Sequence, residues 1–163
     1  MLLETNRLII KCSKLSDISD WAIIESDANV RRFVDGKLLS LKEAGEYIEL
    51  NIRQYQTHEY GRYAVRLKEN RKLIGMCGFL NEPYGIDFGY RYSKDSWGKG
   101  LGFEAGKAVL EYGFSELGLE KVVGLTAEQN YGSIRILEKL GFKFQEKIIF
   151  NKTKAFKYYY SRD

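Results

Sequence analysis

Along this chain, short apolar runs bounded by polar turns alternate with longer segments whose apolar residues recur every third or fourth position. The first pattern belongs to strands, the second to helices packed by one face. Residues 7–12 (RLIIKC), 62–68, 72–79, 86–92, 122–127, 142–150 and 155–160 read as seven strands. The polar turn Glu69-Asn70-Arg71 marks a hairpin between the second and third, and the last two form a closing antiparallel pair. Residues 16–26, 40–56, 98–117 and 132–140 read as four helices. Ser16 fits an N-cap, and Ser40 with Glu43 fits a capping box. Ala44, Ile48 and Ile52 stand at fourfold spacing, and Leu101, Ala105, Ala108, Val109 and Tyr112 form a second stripe. Gly118 and Gly141 are placed to stop the helices before them.

Strands and helices mixed in this order imply an α/β (α+β) fold on a mostly antiparallel mixed sheet, not a regular doubly wound one. With 163 residues and a single proline, Pro83, no linker or repeat divides the chain, so one domain spans 1–163. A composition of 44% hydrophobic and 14% aromatic residues supports a real core and excludes a disordered chain. No apolar run reaches the ~18 residues of a membrane span. The start, LLETNRLIIK, lacks the features of a secretory signal, and the chain reads as cytoplasmic.

Cys12 and Cys77 sit in separate apolar runs and suggest neither a disulfide framework nor a metal site; no metal is expected. His58, the only histidine, falls at a loop beside Glu59-Tyr60-Gly61 and reads as a solvated side chain. The net charge of +4 favours an anionic ligand weakly. The basic residues are scattered among acidic ones and form no nucleic-acid motif. Neither nucleic acid nor membrane is expected as a partner.

Candidate chemistry concentrates in Tyr90-Arg91-Tyr92-Ser93-Lys94-Asp95-Ser96-Trp97-Gly98-Lys99-Gly100-Leu101-Gly102. A strand runs into a short loop, and three glycines at alternate positions open a helix. The free N–H groups and positive end of a helix N-terminus seat a phosphate, and glycines let the backbone approach it. The spacing is not that of a dinucleotide-binding fingerprint, which needs a third glycine where Phe103 stands. A Walker loop is absent from the sequence. Taken alone, the segment also fits a glycine-rich turn with no ligand. Further on comes Asn130-Tyr131-Gly132-Ser133-Ile134-Arg135-Ile136-Leu137-Glu138-Lys139-Leu140-Gly141-Phe142. Here Asn130 also fits an N-cap, Ser133 a first-turn polar residue and Gly141 a helix stop.

Taken as a pair in this order, the two segments resemble the GNAT superfamily of acyl-CoA N-acyltransferases. The family's loop pattern, Gln/Arg-x-x-Gly-x-Gly/Ala, is matched at Gly100 and Gly102, with Trp97 in the Gln/Arg place. WGKGLGFEA and NYGSIRILEKLGF are similar to the branch containing the ribosomal-protein N-terminal acetyltransferases, and the likeness covers nearly the whole chain. The resemblance implies a GNAT-like fold with splayed central parallel strands, and acetyl-CoA as co-substrate. It implies that backbone N–H groups of Gly98, Lys99, Gly100, Leu101 and Gly102 hold the pyrophosphate. Tyr90, Arg91 and Tyr92 would lie on the strand that pairs with the pantetheine arm, where a backbone N–H polarises the thioester carbonyl. Asn130 takes the place of a pantetheine-contacting side chain. Arg135 fits either a phosphate contact or a surface role. Many members of the branch form homodimers, and no feature of this sequence demands one.

The chain departs from the family at two catalytic places. Leu137 stands where many members carry the tyrosine that protonates the leaving thiolate, and Leu125 where a glutamate base is common. Ser133 is then the candidate for the leaving thiol, against a helix-capping role. Asp87 is the first candidate base, through water, ahead of Glu82 and Glu128, against the reading of all three as solvated carboxylates. The expected function is transfer of an acetyl group from acetyl-CoA to an amine, a protein N-terminus or a small molecule. The alternative is a module that binds acyl-CoA without turnover. The acceptor would be chosen by residues 28–60 and the loop 82–85, with Tyr55 among the candidates at its mouth.

Overall fold

The computed structural model describes residues 1–162. Its strands are β1 (Leu2–Glu4), β2 (Leu8–Cys12), β3 (Arg62–Leu67), β4 (Leu73–Glu82), β5 (Gly85–Tyr92), β6 (Lys121–Ala127), β7 (Lys143–Phe150) and β8 (Thr153–Ser161). Its α-helices are α1 (Ile18–Glu25), α2 (Ala28–Arg31), α3 (Leu41–His58), α4 (Leu101–Ser115) and α5 (Tyr131–Leu140). One sheet carries all eight strands in the order β1-β2-β3-β4-β5-β6-β8-β7. Neighbours are antiparallel except β5 and β6, which are parallel.

The sheet therefore has eight strands among the described residues, not seven. The extra one, β1, is three residues long and pairs Leu3 with Ile10. So short a strand shows no period of its own. Among the described residues there are five α-helices, not four. The extra one, α2, is a single turn whose first N–H groups are met by Asp27: its Oδ1 accepts from Asn29 N–H at 2.8 Å. The capping box on α3 forms, with Ser40 and Glu43 exchanging two hydrogen bonds of 3.1 Å. Helix α4 begins at Leu101, later than the expected 98.

Two cores sit on the two faces of the sheet. Leu8, Ile10, Val65, Phe79, Phe88, Val109, Val122, Leu137 and Phe142 join the sheet to α4 and α5. Trp21, Ile24, Ala44, Ile48, Ala64 and Met76 join the other face to α1 and α3. Each fully buried Leu, Ile, Val or Phe contributes ~1.5–3 kcal/mol relative to exposure. Strand alternation then sorts β5 by face. Phe88, Tyr90 and Tyr92 point to the α4–α5 side, and Asp87, Gly89 and Arg91 to the α1–α3 side. Among the described residues no helix is long and apolar enough to cross a membrane.

Candidate active site

The glycine segment leaves β5 and is held in place before α4 starts. Trp97 donates its indole N–H to the Tyr92 carbonyl at 2.9 Å, which ties the loop to the strand and occupies that carbonyl. Gly98 and Gly100 have φ of 73° and 76°, left-handed values that disfavour any side chain. These two turns delay the helix to Leu101. Gly102 serves packing instead: a Cβ there would stand 2.9 Å from Ile136 Cδ1 and 3.1 Å from the Tyr92 ring. The helical ladder starts with Glu104 N–H on the Gly100 carbonyl, 3.1 Å. The N–H groups of Leu101, Gly102 and Phe103 precede it and lie at the positive end of the helix, where an anion is favoured. The Leu101 side chain is buried in the core, so its N–H is what remains for a ligand.

An arginine that the sequence did not single out fixes this loop. Arg7 donates from Nη1 to the Lys99 carbonyl at 2.9 Å and from Nε to Glu104 Oε2 at 2.7 Å. Arg7 N–H and Thr5 Oγ1–H both donate to Glu104 Oε1, at 2.8 and 2.6 Å. Burial pushes the Glu104 carboxyl up, but these hydrogen bonds outweigh it and hold it below its ordinary value. The segment TNR lies 97 residues from Glu104 in sequence, and no local pattern announces such a partner.

The second feature is a split in the sheet. β5 is paired with β4 along its whole length, and β6 with β8 from Lys121 to Ala127. Between them, Asp87 opposite Val123 is the one registered pair. Beyond it the facing edges of β5 and β6 are unpaired with each other, toward the end of β5 that feeds the glycine loop.

On the α4–α5 face of the split, Tyr90 and the start of α5 meet. The Tyr90 hydroxyl lies 2.9 Å from the Ser133 carbonyl and 3.0 Å from Ser133 Oγ. Asn130 is the N-cap of α5: its Oδ1 accepts Ser133 N–H at 3.2 Å. The helix-cap role falls to Asn130, and the Ser133 hydroxyl faces Tyr90. Arg135 is exposed on α5 with no ion-pair partner among the described residues.

On the opposite face, Asp87 is buried and forms an ion pair with Arg62, which also donates to the carbonyls of Asp87 and Gly78 at 2.8 and 2.7 Å. Its other oxygen accepts the Tyr84 hydroxyl at 3.0 Å. Burial and the adjacent Asp87 raise the Tyr84 phenol, so it remains a donor. Arg91 turns to this face too. Its guanidinium, with that of Arg31, holds the fully buried Glu25, each at 2.8 Å. Of Arg91, therefore, the backbone alone is left for a ligand in the split.

The comparisons with known proteins converge on one family. The family model for the acetyltransferase (GNAT) domain matches residues 7–143. This chain belongs to the GNAT acetyltransferase family. It is 27% identical over 145 residues to the uncharacterized N-acetyltransferase p20 of Bacillus licheniformis, covering 86% of this chain and 82% of the relative. An acetyltransferase from Agrobacterium tumefaciens superposes with a TM-score of 0.88 at 20% identity, covering 99% of this chain and 95% of that one. RimL, a ribosomal L7/L12 alpha-N-protein acetyltransferase solved with coenzyme A, superposes at 0.84 with 15% identity, covering 99% and 98%. Likeness at those identities establishes the fold.

As a GNAT acetyltransferase, the chain is an acetyl-CoA-dependent acyltransferase. Trp97, Gly98, Lys99, Gly100, Leu101 and Gly102 form the glycine segment, and Arg7 donates to its Lys99 carbonyl. Tyr90, Asn130 and Ser133 meet on one side of the split and Asp87 lies on the other. Leu137 is 2% exposed and packs in the core against the Gly124 position, so it brings no polar atom to the split.

Proposed function

We propose that this enzyme acetylates an α-amine, with the pantetheine arm of acetyl-CoA in the β5–β6 split and its pyrophosphate on residues 98–102. The observation that carries the reading is the split itself, open at the end that meets the glycine loop. The reaction moves the acetyl group as the nitrogen bonds to the thioester carbon, the C–S bond breaks and sulfur takes the electron pair. Nitrogen loses one proton. Backbone N–H groups along β5 polarise the carbonyl, and donors aimed at a developing oxyanion are often the largest catalytic contribution. Ser133 Oγ stands at the leaving thiolate, on the face of α4 and α5. Asp87 accepts the amine's proton through water, on the opposite face. Both its oxygens already carry hydrogen bonds, which leaves little room for a direct contact.

The choice of an α-amine rests on proton supply. At physiological pH about a fifth of an α-amine of pKa ~8 is neutral, against well under about a hundredth of a lysine-type amine near ~10. With Leu125 and Leu137 in place of ionisable groups, an acceptor that needs little deprotonation suits the site. RimL's acceptor, an α-amine of a ribosomal protein, supports the same class.

Purified protein, acetyl-CoA and a panel of amines with thiol detection test the reading. Release of coenzyme A with α-amino peptides ahead of polyamines and lysine analogues is the expected result. Preference for high-pKa amines overturns the acceptor class, and tight coenzyme binding without thiol release from any amine overturns the transfer. For the base, kcat/KM against pH is compared for wild type and a folded Asp87→Asn. An unchanged profile removes Asp87 from the proton path.

A further inference from the structure

The hydroxyl of Tyr90 has two acceptors at hand on Ser133, the carbonyl at 2.9 Å and Oγ at 3.0 Å. One phenolic proton cannot serve both fully. With the proton on the carbonyl, Ser133 Oγ–H is the donor to Tyr90. With the proton on Oγ, the serine hydroxyl is free to donate elsewhere. The two arrangements differ by a rotation of hydroxyls, with no movement of heavy atoms.

We propose that Tyr90 is a positioning residue that acts through Ser133: its hydroxyl donates to Ser133 Oγ as Ser133 donates to the departing thiolate. This rests on the reading of Ser133 as the group at the leaving sulfur. The pair then supplies from β5 and α5 the hydrogen bond that the core residue Leu137 does not.

Three features fit this role. The Tyr90 ring is held between Phe88, edge to face at 5.8 Å, and Tyr92, stacked at 5.8 Å, so its hydroxyl is fixed before the coenzyme arrives. The Ser133 backbone is fixed from the other side by Asn130. Burial raises the phenol above its ordinary value, against the opposing pull of the Ser133 hydrogen bond, so Tyr90 keeps its proton throughout the working range. A chain of two hydroxyls, each polarising the next, strengthens the terminal donor. Neither hydroxyl is consumed. Sulfur leaves as a thiolate and takes its proton from solvent, which matches the proton lost by nitrogen.

The test is a double-mutant cycle in the full chain with Tyr90→Phe, Ser133→Ala and both together. Tyr90→Phe keeps the ring and its stacking, so melting temperature and coenzyme A affinity should stay close to wild type. Its kcat should fall about tenfold, less than the ~10²–10³ lost with a donor that touches the reacting atoms itself, because Tyr90 acts through Ser133. The double variant should be no slower than Ser133→Ala alone, because Tyr90 has no route to sulfur without the serine. Equal kcat in Tyr90→Phe and wild type, with Ser133→Ala slow, overturns the role of Tyr90. So does a double variant slowed by the product of the two single effects. Normal kcat in Ser133→Ala instead removes the serine reading beneath it. Tyr90→3-fluorotyrosine, a stronger donor of nearly the same size, should keep kcat at or above wild type even where Tyr90→Phe fails to fold. A drop there overturns the inference.

Discussion

Asn130 and Ser133 divide between them what a single polar residue at a helix start often does. Asn130 Oδ1 meets the Ser133 N–H and closes the first turn of α5. Asn130→Ala should therefore cost ~1 kcal/mol, the usual loss for an N-cap. Ser133→Ala, which leaves that bond in place, should lower kcat more than it lowers the melting temperature. Thermal melts of both variants beside their kinetics check the division. Equal melting shifts in the two would return the capping role to Ser133. Glu25 makes a sharper case. It is fully buried between Arg31 and Arg91. Removing one member of a buried ion pair strands charge, so Glu25→Ala should destabilise the protein by ~3–5 kcal/mol in urea unfolding. A loss below ~1 kcal/mol would mean that water reaches the two guanidiniums. The cap at Asn130 was readable from its place before an apolar helix. The pairs Glu25–Arg91 and Tyr90–Ser133 are not readable in the sequence, because they join residues 66 and 43 positions apart that the fold brings together.

Among elements, the loop between β5 and α4 shows how a local signal can announce a helix and misplace its start. The alternate glycines and the apolar stripe after them predict a helix from 98. Gly98 and Gly100 instead hold left-handed turns, so the helix waits for Leu101. A valine at position 100 meets a φ of 76° that β-branched residues resist, and its Cβ would stand 3.6 Å from Arg7 Nη2, with the rest of the side chain beyond it. Gly100→Val should thus raise the dissociation constant for acetyl-CoA by more than tenfold, about 1.4 kcal/mol in calorimetry. Equal affinity in a folded variant would take the loop out of the site. The seven longer strands and four longer helices were legible because each carries a full period of apolar spacing. β1 and α2 carry too few residues to do so, and both owe their form to neighbours: β2 for one, the Asp27 side chain for the other.

For the whole molecule, the two faces of the sheet keep the proposed proton acceptor and thiolate donor apart, and one ion-paired knot ties the chain's start to its coenzyme end. Thr5 and Arg7 precede β2, Glu104 lies in the first turn of α4, and Lys99 belongs to the glycine loop. Since Glu104 is held below its ordinary value of 4.5, its ionised form is bound more tightly in the folded state than in the unfolded one. That stabilisation is complete above 4.5 and disappears as pH falls through the lower folded value. Glu104→Gln removes the charge at every pH. At neutral pH the variant should melt below wild type and bind acetyl-CoA more weakly, because Arg7 then holds Lys99 without an anionic anchor. As pH is lowered past 4.5 the two melting curves should converge, the wild-type carboxyl having been protonated as well. High salt should narrow the neutral-pH gap only in part: the Arg7 side chain is 45% exposed, but the Glu104 side chain is 17% exposed. A gap in melting temperature that stays constant from neutral pH to well below 4.5 would show that ionisation of Glu104 is not what fastens the loop. The gap would then come from the acceptor that glutamine lacks: its NH2 cannot take the hydrogen bonds that both carboxyl oxygens accept from Thr5 and Arg7.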